Sequence, residues 1–278
     1  MSGEACWPGR IAYVGAGKMG EPMARLLVSA GAPLSLHARR PEVRAEFEEL
    51  GARASESIAE VVADACVVCV CLFDETQLRD VLLGDGGLIS HCPAGAILVC
   101  HTTTGVRTLE ALVAAADGQG VDFVDAPVSG SAEEIAMGRL TVLAGGSEAV
   151  LHRISPILGC YSTVVRTGEV GSATRAKLVN NLLFAANLQL VAAAVQLARA
   201  LGVAGPSMLE VLAHCSAGSE AVRHVRGSGL TPQSFGERAS PYLRKDVAAA
   251  LAAAADVGAD PAVLEKVVLD GPVHLMAG

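Results

Sequence analysis

The longest uninterrupted helical pattern of this chain covers residues 171–201. Gly171 and Ser172 can start a helix, no proline interrupts it, and the residues that follow are rich in Ala, Leu, Lys, Gln and Arg, which favour helices. At about 1.5 Å per residue, a helix of about 28 residues spans about 42 Å, the width of a domain or more. We therefore expect this helix to join two lobes.

The same helix is apolar enough to be compared with a membrane span, but polar side chains are spread along most of its length. They are Lys177, Asn180, Asn181, Asn187, Gln189, Gln196 and Arg199. Because the hydrocarbon core of a bilayer penalises such groups, we interpret the segment as a buried helix of a soluble protein.

Three of these polar side chains share one face near the helix start. Lys177, Asn180 and Asn181 are spaced i, i+3 and i, i+4, and this spacing brings side chains together on a helix. An amine and two amides could hold a polar ligand there. They could equally be an exposed lysine followed by ordinary capping amides, and the residues alone leave both interpretations open.

Length and composition predict a folded protein of two domains that acts on small molecules. A chain of 278 residues with 51% apolar residues can bury a large core and more often forms two domains than one. The net charge of -8 disfavours nucleic acid or an anionic membrane surface as the main partner. The opening MSGEACWPGR lacks the basic and apolar regions of a secretory signal, so we expect a cytoplasmic location.

The eight cysteines are expected to be reduced. Those that lie in or beside apolar runs are Cys66, Cys69, Cys71, Cys92, Cys100 and Cys160. Cys66 and Cys69 have CxxC spacing without a second pair or a nearby histidine, so we predict no metal or redox site. We interpret His214 and Cys215 as part of a structural loop, because adjacent residues at a helix end point in different directions.

A glycine-rich loop follows the first predicted strand, which covers residues 10–14. The loop consists of Gly15, Ala16, Gly17, Lys18, Met19 and Gly20, and a helical pattern continues from it to Ala30. In a strand, GxGxxG, helix arrangement the glycines permit a tight turn, close approach of a pyrophosphate and close helix packing. The helix N-terminus offers free N–H groups to the anion, so we predict a dinucleotide site.

The residues after the second predicted strand bear on the choice between NAD and NADP. An NAD site carries Asp or Glu there, about 20 residues past the loop, to bind the ribose hydroxyls. This chain has His37, Ala38, Arg39 and Arg40 instead. Two guanidiniums suit a 2′-phosphate, so we predict NADP(H), with a solvated surface pair as the alternative.

Strand and helix patterns then alternate as far as residue 126, and the run at residues 65–72 is continuously apolar. This pattern predicts a doubly wound α/β domain whose parallel strands are covered on both faces. Ligands of such folds lie beyond the carboxyl ends of the strands. We therefore expect cofactor neighbours in the segments that follow two of these strands: Leu72, Phe73, Thr102, Thr103 and Thr104.

Beyond residue 126, Ser129, Gly130 and Ser131 offer consecutive N–H groups and two hydroxyls, which suit a carboxylate. Glu133 and Glu134 are interpreted as an exposed helix start rather than a catalytic pair.

Four separated segments together resemble one family, the β-hydroxyacid dehydrogenases. They are GAGKMGEPMA at 15–24, DAPVSGS at 125–131, GEVGSATRAKLVNN at 168–181 and LRKDVAAAL at 243–251. The resemblance implies a Rossmann domain at residues 1–168 and an all-α domain at 169–278 that starts with the joining helix. It also implies a site in the cleft between the two domains and a homodimer or homotetramer formed through the helical domain.

The resemblance also implies roles for individual residues. Lys177 corresponds to the family's catalytic acid/base, and Asn181 to an asparagine that contacts the substrate. The segment at 129–131 corresponds to the one that holds the substrate carboxylate, and Lys245 to a lysine beside the cofactor. Three features depart from the family pattern: Ser131 replaces a glycine, Glu134 and Ile135 replace a Gly-Ala pair, and HTTTG occurs at 101–105. The chain also ends at Gly278, sooner than the family's usual C-terminus.

The function we expect is NADP-dependent hydride transfer between nicotinamide and a small β-hydroxy acid or carbonyl acid of the semialdehyde or glyoxylate type. One alternative is an imine reductase or reductive aminase on the same scaffold, and another is a non-catalytic NADP-binding protein. Both kinds of relative tend to lack the lysine that is present here as Lys177, so the lysine favours the dehydrogenase.

Overall fold

A computed structural model describes residues 7–275. Residues 1–6, where part of the segment inspected for a secretory signal lies, and residues 276–278 are outside the described residues. The chain forms two compact units, the first ending at Lys177 and the second beginning at Leu178.

The first unit is built on a sheet of nine strands within residues 7–275. The strands are β1 (Ile11–Val14), β2 (Leu34–His37), β3 (Arg53–Ser55), β4 (Val67–Val70), β5 (Ile97–Cys100), β6 (Asp122–Asp125), β7 (Val128–Ser129), β8 (Leu140–Gly145) and β9 (Ser162–Gly168). Their order is β3-β2-β1-β4-β5-β6-β8-β7, with β9 paired to β8. The first six strands are parallel and β8 is antiparallel to β6. This order confirms the predicted doubly wound Rossmann sheet.

Helices cover both faces of the sheet. They are α1 (Gly20–Ser29), α2 (Pro41–Glu49), α3 (Ile58–Val62), α4 (Glu75–Leu83), α5 (Leu88–His91), α6 (Val106–Gly118), α7 (Ala132–Ala136) and α8 (Glu148–Gly159). All four residues of β1 are buried, with Ile11 and Tyr13 in one apolar core and Ala12 and Val14 in the other. Because neither face of the sheet is exposed to solvent, the central strands are continuously apolar in sequence.

The helix α9 (Ser172–Ala200) begins in the first unit and continues into the second, and its extent confirms the predicted long helix. Within residues 7–275 it is the one helix long and apolar enough to cross a membrane by length and composition. However, 56% of its most apolar 18-residue window is buried inside the protein, as in the core helix of a folded domain.

The second unit is helical throughout its described residues. After α9 come α10 (Gly205–His214), α11 (Glu220–Ser228), α12 (Pro232–Asp256) and α13 (Ala262–Asp270). The buried Gln189 of α9 ties this unit together, since its amide donates to the carbonyls of Val268 and Val273 and accepts from the Val273 N–H. A side chain at Gly271 would lie 2.4 Å from the Gln189 amide carbon, so a glycine allows this contact.

Two helices contain an internal proline. Pro241 lies inside α12, and Pro156 lies inside α8. A proline removes one helical hydrogen bond, but packing of the surrounding turns outweighs this loss in both helices.

A buried histidine, His101, lies directly after β5 with only 2% of its surface exposed. Its Nδ1 is 2.7 Å from the Ala126 carbonyl oxygen, which can only accept, so this nitrogen carries the proton. The Nε2 atom then accepts from the Tyr161 hydroxyl at 3.0 Å. Both nitrogens are satisfied in the neutral ring, and burial lowers the pKa of His101 to about 4 from its ordinary 6.5.

This depressed pKa predicts that the first unit loses stability in mild acid. The unfolded chain takes up a proton on this histidine below about pH 6.5, whereas the folded chain does so only below about pH 4. The stabilising contribution is therefore complete above pH 6.5 and is lost as the pH falls from 6.5 to 4, a change of about 3 kcal/mol. Urea unfolding at several pH values, followed by the fluorescence of the single tryptophan, Trp7, which packs on the first unit's core, measures it.

In His101→Gln the difference in unfolding free energy between pH 7 and pH 5 should shrink. The exposed His152 provides the matched control, because His152→Gln should leave that difference unchanged. A His101→Gln protein with the full wild-type pH dependence would contradict this origin of acid sensitivity.

Candidate functional site

The glycine-rich loop joins β1 to α1, and its three glycines meet three different constraints. Gly15 has a φ of 108°, and a Cβ there would lie 2.1 Å from the Cys71 carbonyl oxygen. A Cβ at Gly20 would lie 1.9 Å from the Gly15 oxygen, so the start of α1 packs directly on the turn. A Cβ at Gly17 would meet nothing within 4 Å. The open space therefore lies at the glycine that, in a dinucleotide site, faces the pyrophosphate.

The other three loop residues divide between the core and the solvent. Ala16 and Met19 are partly buried against the core of the first unit, whereas Lys18 is exposed. Met19 lies at the N-cap position of α1 without a capping side chain. The Glu21 N–H already donates to the Gly17 carbonyl at 2.9 Å, and Pro22 has no N–H. The loop therefore combines the positive end of a helix dipole with one exposed positive charge, an arrangement that favours an anion.

The segment after β2 places one of the two predicted arginines on this loop. Arg40 donates to the Ala16 carbonyl at 3.4 Å and lies 3.3 Å from the Glu21 carboxylate. Arg44 donates to the carbonyls of Ala38 and Arg39 at 2.9 and 3.0 Å, which holds the backbone of the segment. Arg39 is exposed beside Arg40. No carboxylate follows β2 directly, but Glu21 of α1 brings one to the same place, which the sequence analysis missed.

The segments after β4 and β5 are joined by one hydroxyl group. The Leu72 N–H donates to Thr102 Oγ1 at 2.9 Å, and the same hydroxyl donates to the Leu72 carbonyl at 3.2 Å. Phe73, the next residue, is exposed, and Thr103 is partly exposed beside the buried Thr102. The structure thus brings together Leu72, Phe73 and Thr103 at the carboxyl edge of the sheet, where ligands of this fold lie.

The carboxylate that ends β6 organises the start of α9. Asp125 is 1% exposed, and its two oxygens accept from the N–H groups of Gly171 and Thr174, both at 2.7 Å. A side chain at Gly145 would lie 2.4 Å from Asp125 Oδ1, so this glycine makes room for the carboxylate. In the sequence, Asp125 is recognisable only as the first residue of the DAPVSGS motif, without a role of its own. Its partners are 46 and 49 residues away, so no local pattern could have revealed them.

Lys177 lies about 8 Å beyond the start of α9, within its second turn. Its side chain is 8% exposed, which rules out the alternative of an exposed surface lysine. Asn181 follows one turn later on the same helix face and is 9% exposed. A buried amine so close to the carboxyl edge of the sheet is the strongest candidate here for an acid/base group.

In the second unit, Asn181 is held by hydrogen bonds. Its Nδ2 donates to Asp246 at 2.8 Å, and its Oδ1 accepts from Asn180 at 3.1 Å. Lys245 lies 3.9 Å from Asp246, and its side chain is more exposed than that of Asp246. Asp246 therefore orients the amide of Asn181, which the sequence analysis did not foresee. The predicted contact of Lys245 with the cofactor stays a prediction.

The loop at residues 129–131 is already in contact with carboxylates of its own chain. The Ser131 N–H donates to Glu134 at 2.9 Å, and the Ser131 hydroxyl accepts from the Glu134 N–H, which together form a capping box at the start of α7. The pKa of Glu133 is lowered by a hydrogen bond from the backbone N–H of Glu133 itself and by a second one from the Ser131 hydroxyl. The prediction that Glu133 and Glu134 begin a helix is confirmed, and Glu133 is exposed.

The cysteines give no sign of a reactive site among the described residues. All seven within residues 7–275 are free thiols, and burial raises the pKa of Cys69, Cys71 and Cys100 to about 12. Thiols of this kind are poor nucleophiles at neutral pH. Across the same part of the chain, no group of three His, Cys, Asp or Glu side chains could hold a metal ion.

Comparisons with known families cover nearly the whole chain. Residues 10–171 match the NAD binding domain of 6-phosphogluconate dehydrogenase. Residues 171–268 match the NAD-binding domain of NADP-dependent 3-hydroxyisobutyrate dehydrogenase.

Individual proteins agree with these matches. The chain is 30% identical to 2-(hydroxymethyl)glutarate dehydrogenase of Eubacterium barkeri over 88% of this chain and 82% of that protein. Among solved structures, 3-hydroxyisobutyrate dehydrogenase of Mycobacterium tuberculosis with L-serine is 25% identical, with a TM-score of 0.81 over 94% of this chain and 91% of that one. Psf3 in complex with NADP+ and 2-OPP is 26% identical, with a TM-score of 0.76 over 93% and 92%.

An imine reductase from Pseudomonas sp. is more distant. It is 19% identical, with a TM-score of 0.64 over 94% of this chain and 91% of that one, and this likeness shows the fold alone.

The glycine loop, the Rossmann strand order and the two family matches lead to one assignment. The chain belongs to the β-hydroxyacid dehydrogenase family, as an NAD(P)-dependent oxidoreductase of the 3-hydroxyisobutyrate dehydrogenase type.

Proposed function

We propose that this enzyme uses NADP(H) to interconvert a small β-hydroxy acid and the corresponding carbonyl acid, of the semialdehyde or glyoxylate type. The observation that carries the proposal is the burial of Lys177 at the anchored start of α9. Burial penalises the charged form of an amine, which suits a group that must both donate and accept a proton.

The residues of the first unit fit a dinucleotide. The open space at Gly17 leaves room for a pyrophosphate beside the N–H groups of α1, and Arg39 and Arg40 offer guanidiniums for a 2′-phosphate. The NADP+ in the Psf3 structure and the NADP-dependent family matched by residues 171–268 support the same choice. When bound, the cofactor would supply hydride to the carbonyl carbon of the substrate, or accept it in the reverse direction.

Lys177 supplies the proton that the hydride transfer requires. In the reductive direction negative charge develops on the substrate oxygen, and an ammonium at Lys177 stabilises this charge and donates a proton to the oxygen. In the oxidative direction the neutral amine accepts the proton of the substrate hydroxyl. Asn181 presents its remaining amide N–H one turn away, and Asp246 holds the amide in a fixed orientation.

The substrate carboxylate is assigned to the loop of Ser129, Gly130 and Ser131. Because the Ser131 N–H already binds Glu134, a substrate acid must replace this internal carboxylate or bind through the remaining donors of the loop. Glu134 therefore favours substrates small enough to bind beside its carboxylate. Relatives with a Gly-Ala pair at the positions of Glu134 and Ile135 lack this carboxylate next to the loop.

The second unit supports assembly into a homodimer or homotetramer. Large apolar side chains that are 47–74% exposed form one stripe from the early turns of α9 to just past its end: Val179, Leu183, Leu190, Leu197 and Leu201. A soluble monomer rarely exposes such a continuous apolar surface, so a second copy of the chain is the proposed occupant. The free thiols within residues 7–275 suit the reducing cytosol, where we place the enzyme.

Replacing Lys177 tests the catalytic role. Lys177→Ala should lower kcat/KM for small semialdehyde acids by about a hundredfold or more, because both charge stabilisation and proton transfer are lost. Binding of NADP+, measured by isothermal titration calorimetry, should be retained. Lys266→Ala removes an exposed lysine paired with Asp270 and should behave like the wild type.

Near-normal turnover of Lys177→Ala would refute the acid/base role. The same assay should include cyclic imines, since NADPH consumption with imines but not with carbonyl acids would favour reductive amination. Wild-type protein that binds NADPH but consumes it with neither class would favour a non-catalytic protein.

Replacing the two arginines tests the cofactor assignment. Arg39→Ala and Arg40→Ala should each weaken NADPH binding by about tenfold and leave NADH binding nearly unchanged, because only NADPH carries the 2′-phosphate. Arg153, which pairs with Asp122 at the opposite end of β6, is the matched control. Tighter binding of NADH than NADPH by the wild type would contradict the choice of NADP.

A further inference from the structure

One carboxylate lies among the positive charges at the proposed 2′-phosphate site. Glu21 contacts two guanidiniums, with Oε2 at 3.3 Å from Arg40 and Oε1 at 3.3 Å from Arg25. Its side chain is 28% exposed, whereas that of Arg40 is 58% exposed. The carboxylate is therefore the more enclosed member of the pair, and the guanidinium is the one that faces solvent.

The backbone holds Glu21 at the dinucleotide loop. Glu21 directly follows Gly20, and its N–H donates to the Gly17 carbonyl at 2.9 Å. Arg40 spans the same loop, since it contacts both Glu21 and the Ala16 carbonyl. Glu21 and the arginine assigned to the 2′-phosphate thus share one short stretch of surface beside the loop.

Arg25, the second partner of Glu21, also contacts two other side chains. Arg25 also pairs with Glu46 at 3.0 Å and lies 5.2 Å from the ring centre of Phe47. The two carboxylates raise the pKa of Arg25, that of Glu46 with the larger effect. Arg25 therefore remains paired with Glu46 when Glu21 is replaced, whereas within residues 7–275 the ion pair of Arg40 is with Glu21 alone.

We infer that Glu21 is a specificity residue that weakens the preference for NADP(H) and keeps NAD(H) usable. A 2′-phosphate must share Arg40 with an existing carboxylate, and the two anions repel each other. In the absence of the phosphate, the same carboxylate is an acceptor for ribose hydroxyls, a role that in NAD sites belongs to an acid at the end of β2. The inference rests on the proposed function, in which Arg39 and Arg40 bind the 2′-phosphate.

Two ligands that differ only in the 2′-phosphate isolate this effect. Isothermal titration calorimetry on the full chain gives the Kd of 2′,5′-ADP and of 5′-AMP, and the ratio of the 5′-AMP value to the 2′,5′-ADP value measures the gain from the phosphate. In Glu21→Gln this ratio should rise by about three- to tenfold, from the strength of partly exposed charge pairs. Titrations of NADP+ and NAD+ should shift in the same direction.

Glu46→Gln is the matched control, because it removes the same charge from the other carboxylate on Arg25. Its ratio should stay within about twofold of the wild type. Glu21→Ser removes the carboxylate with a smaller side chain and should reproduce the Glu21→Gln shift, which guards against a folding defect in one variant.

An unchanged or lower ratio in both Glu21 variants overturns the inference, and so does an equal rise in Glu46→Gln. The wild-type ratio tests the proposed cofactor separately. If wild type binds 5′-AMP more tightly than 2′,5′-ADP, the assignment of NADP fails, while a rise in the ratio in both Glu21 variants still identifies Glu21 as the residue that opposes the phosphate.

Discussion

The candidate site depends on the hydrogen bonds between Asp125 and the first turn of α9. A buried carboxylate at the carboxyl end of β6 satisfies two backbone N–H groups that a helix start leaves without partners. Charge-assisted hydrogen bonds of this kind contribute about 1.5–3 kcal/mol each, and a negative charge is further favoured at the N-terminus of a helix. The position of Lys177 is therefore set by the sheet itself, through a single side chain and less than two turns of helix.

Local sequence patterns were sufficient for the features that depend on neighbours in the chain. The order of strand, glycine loop and helix predicted the dinucleotide loop, and the absence of an acid after β2 drew attention to Arg39 and Arg40. The spacing of Lys177 and Asn181 predicted a shared helix face, although only the structure showed that both are buried. Each of these inferences used either a short stretch of chain or a fixed spacing from the glycine loop.

The contacts that sequence reasoning missed join residues far apart in the chain. Asn181 and Asp246 are 65 residues apart, and Arg40 lies 19 residues from Glu21. The residues around Asp246 and Glu21 do not indicate which side chains these acids bind, since the pairing depends on how the helices and strands pack. The capping box of Ser131 and Glu134 is a local pattern that could have been found, because Ser followed three residues later by Glu is a known helix start.

The hydroxyl of Thr102 links the segments that follow β4 and β5. Leu72 lies just beyond β4, and both its backbone N–H and its carbonyl form hydrogen bonds with this one oxygen from the segment after β5. Neither segment can shift at that point without breaking both bonds or carrying the other along. The segments after β4 and β5 are therefore coupled, so a displacement of Leu72 is transmitted to Thr102 and its neighbour Thr103.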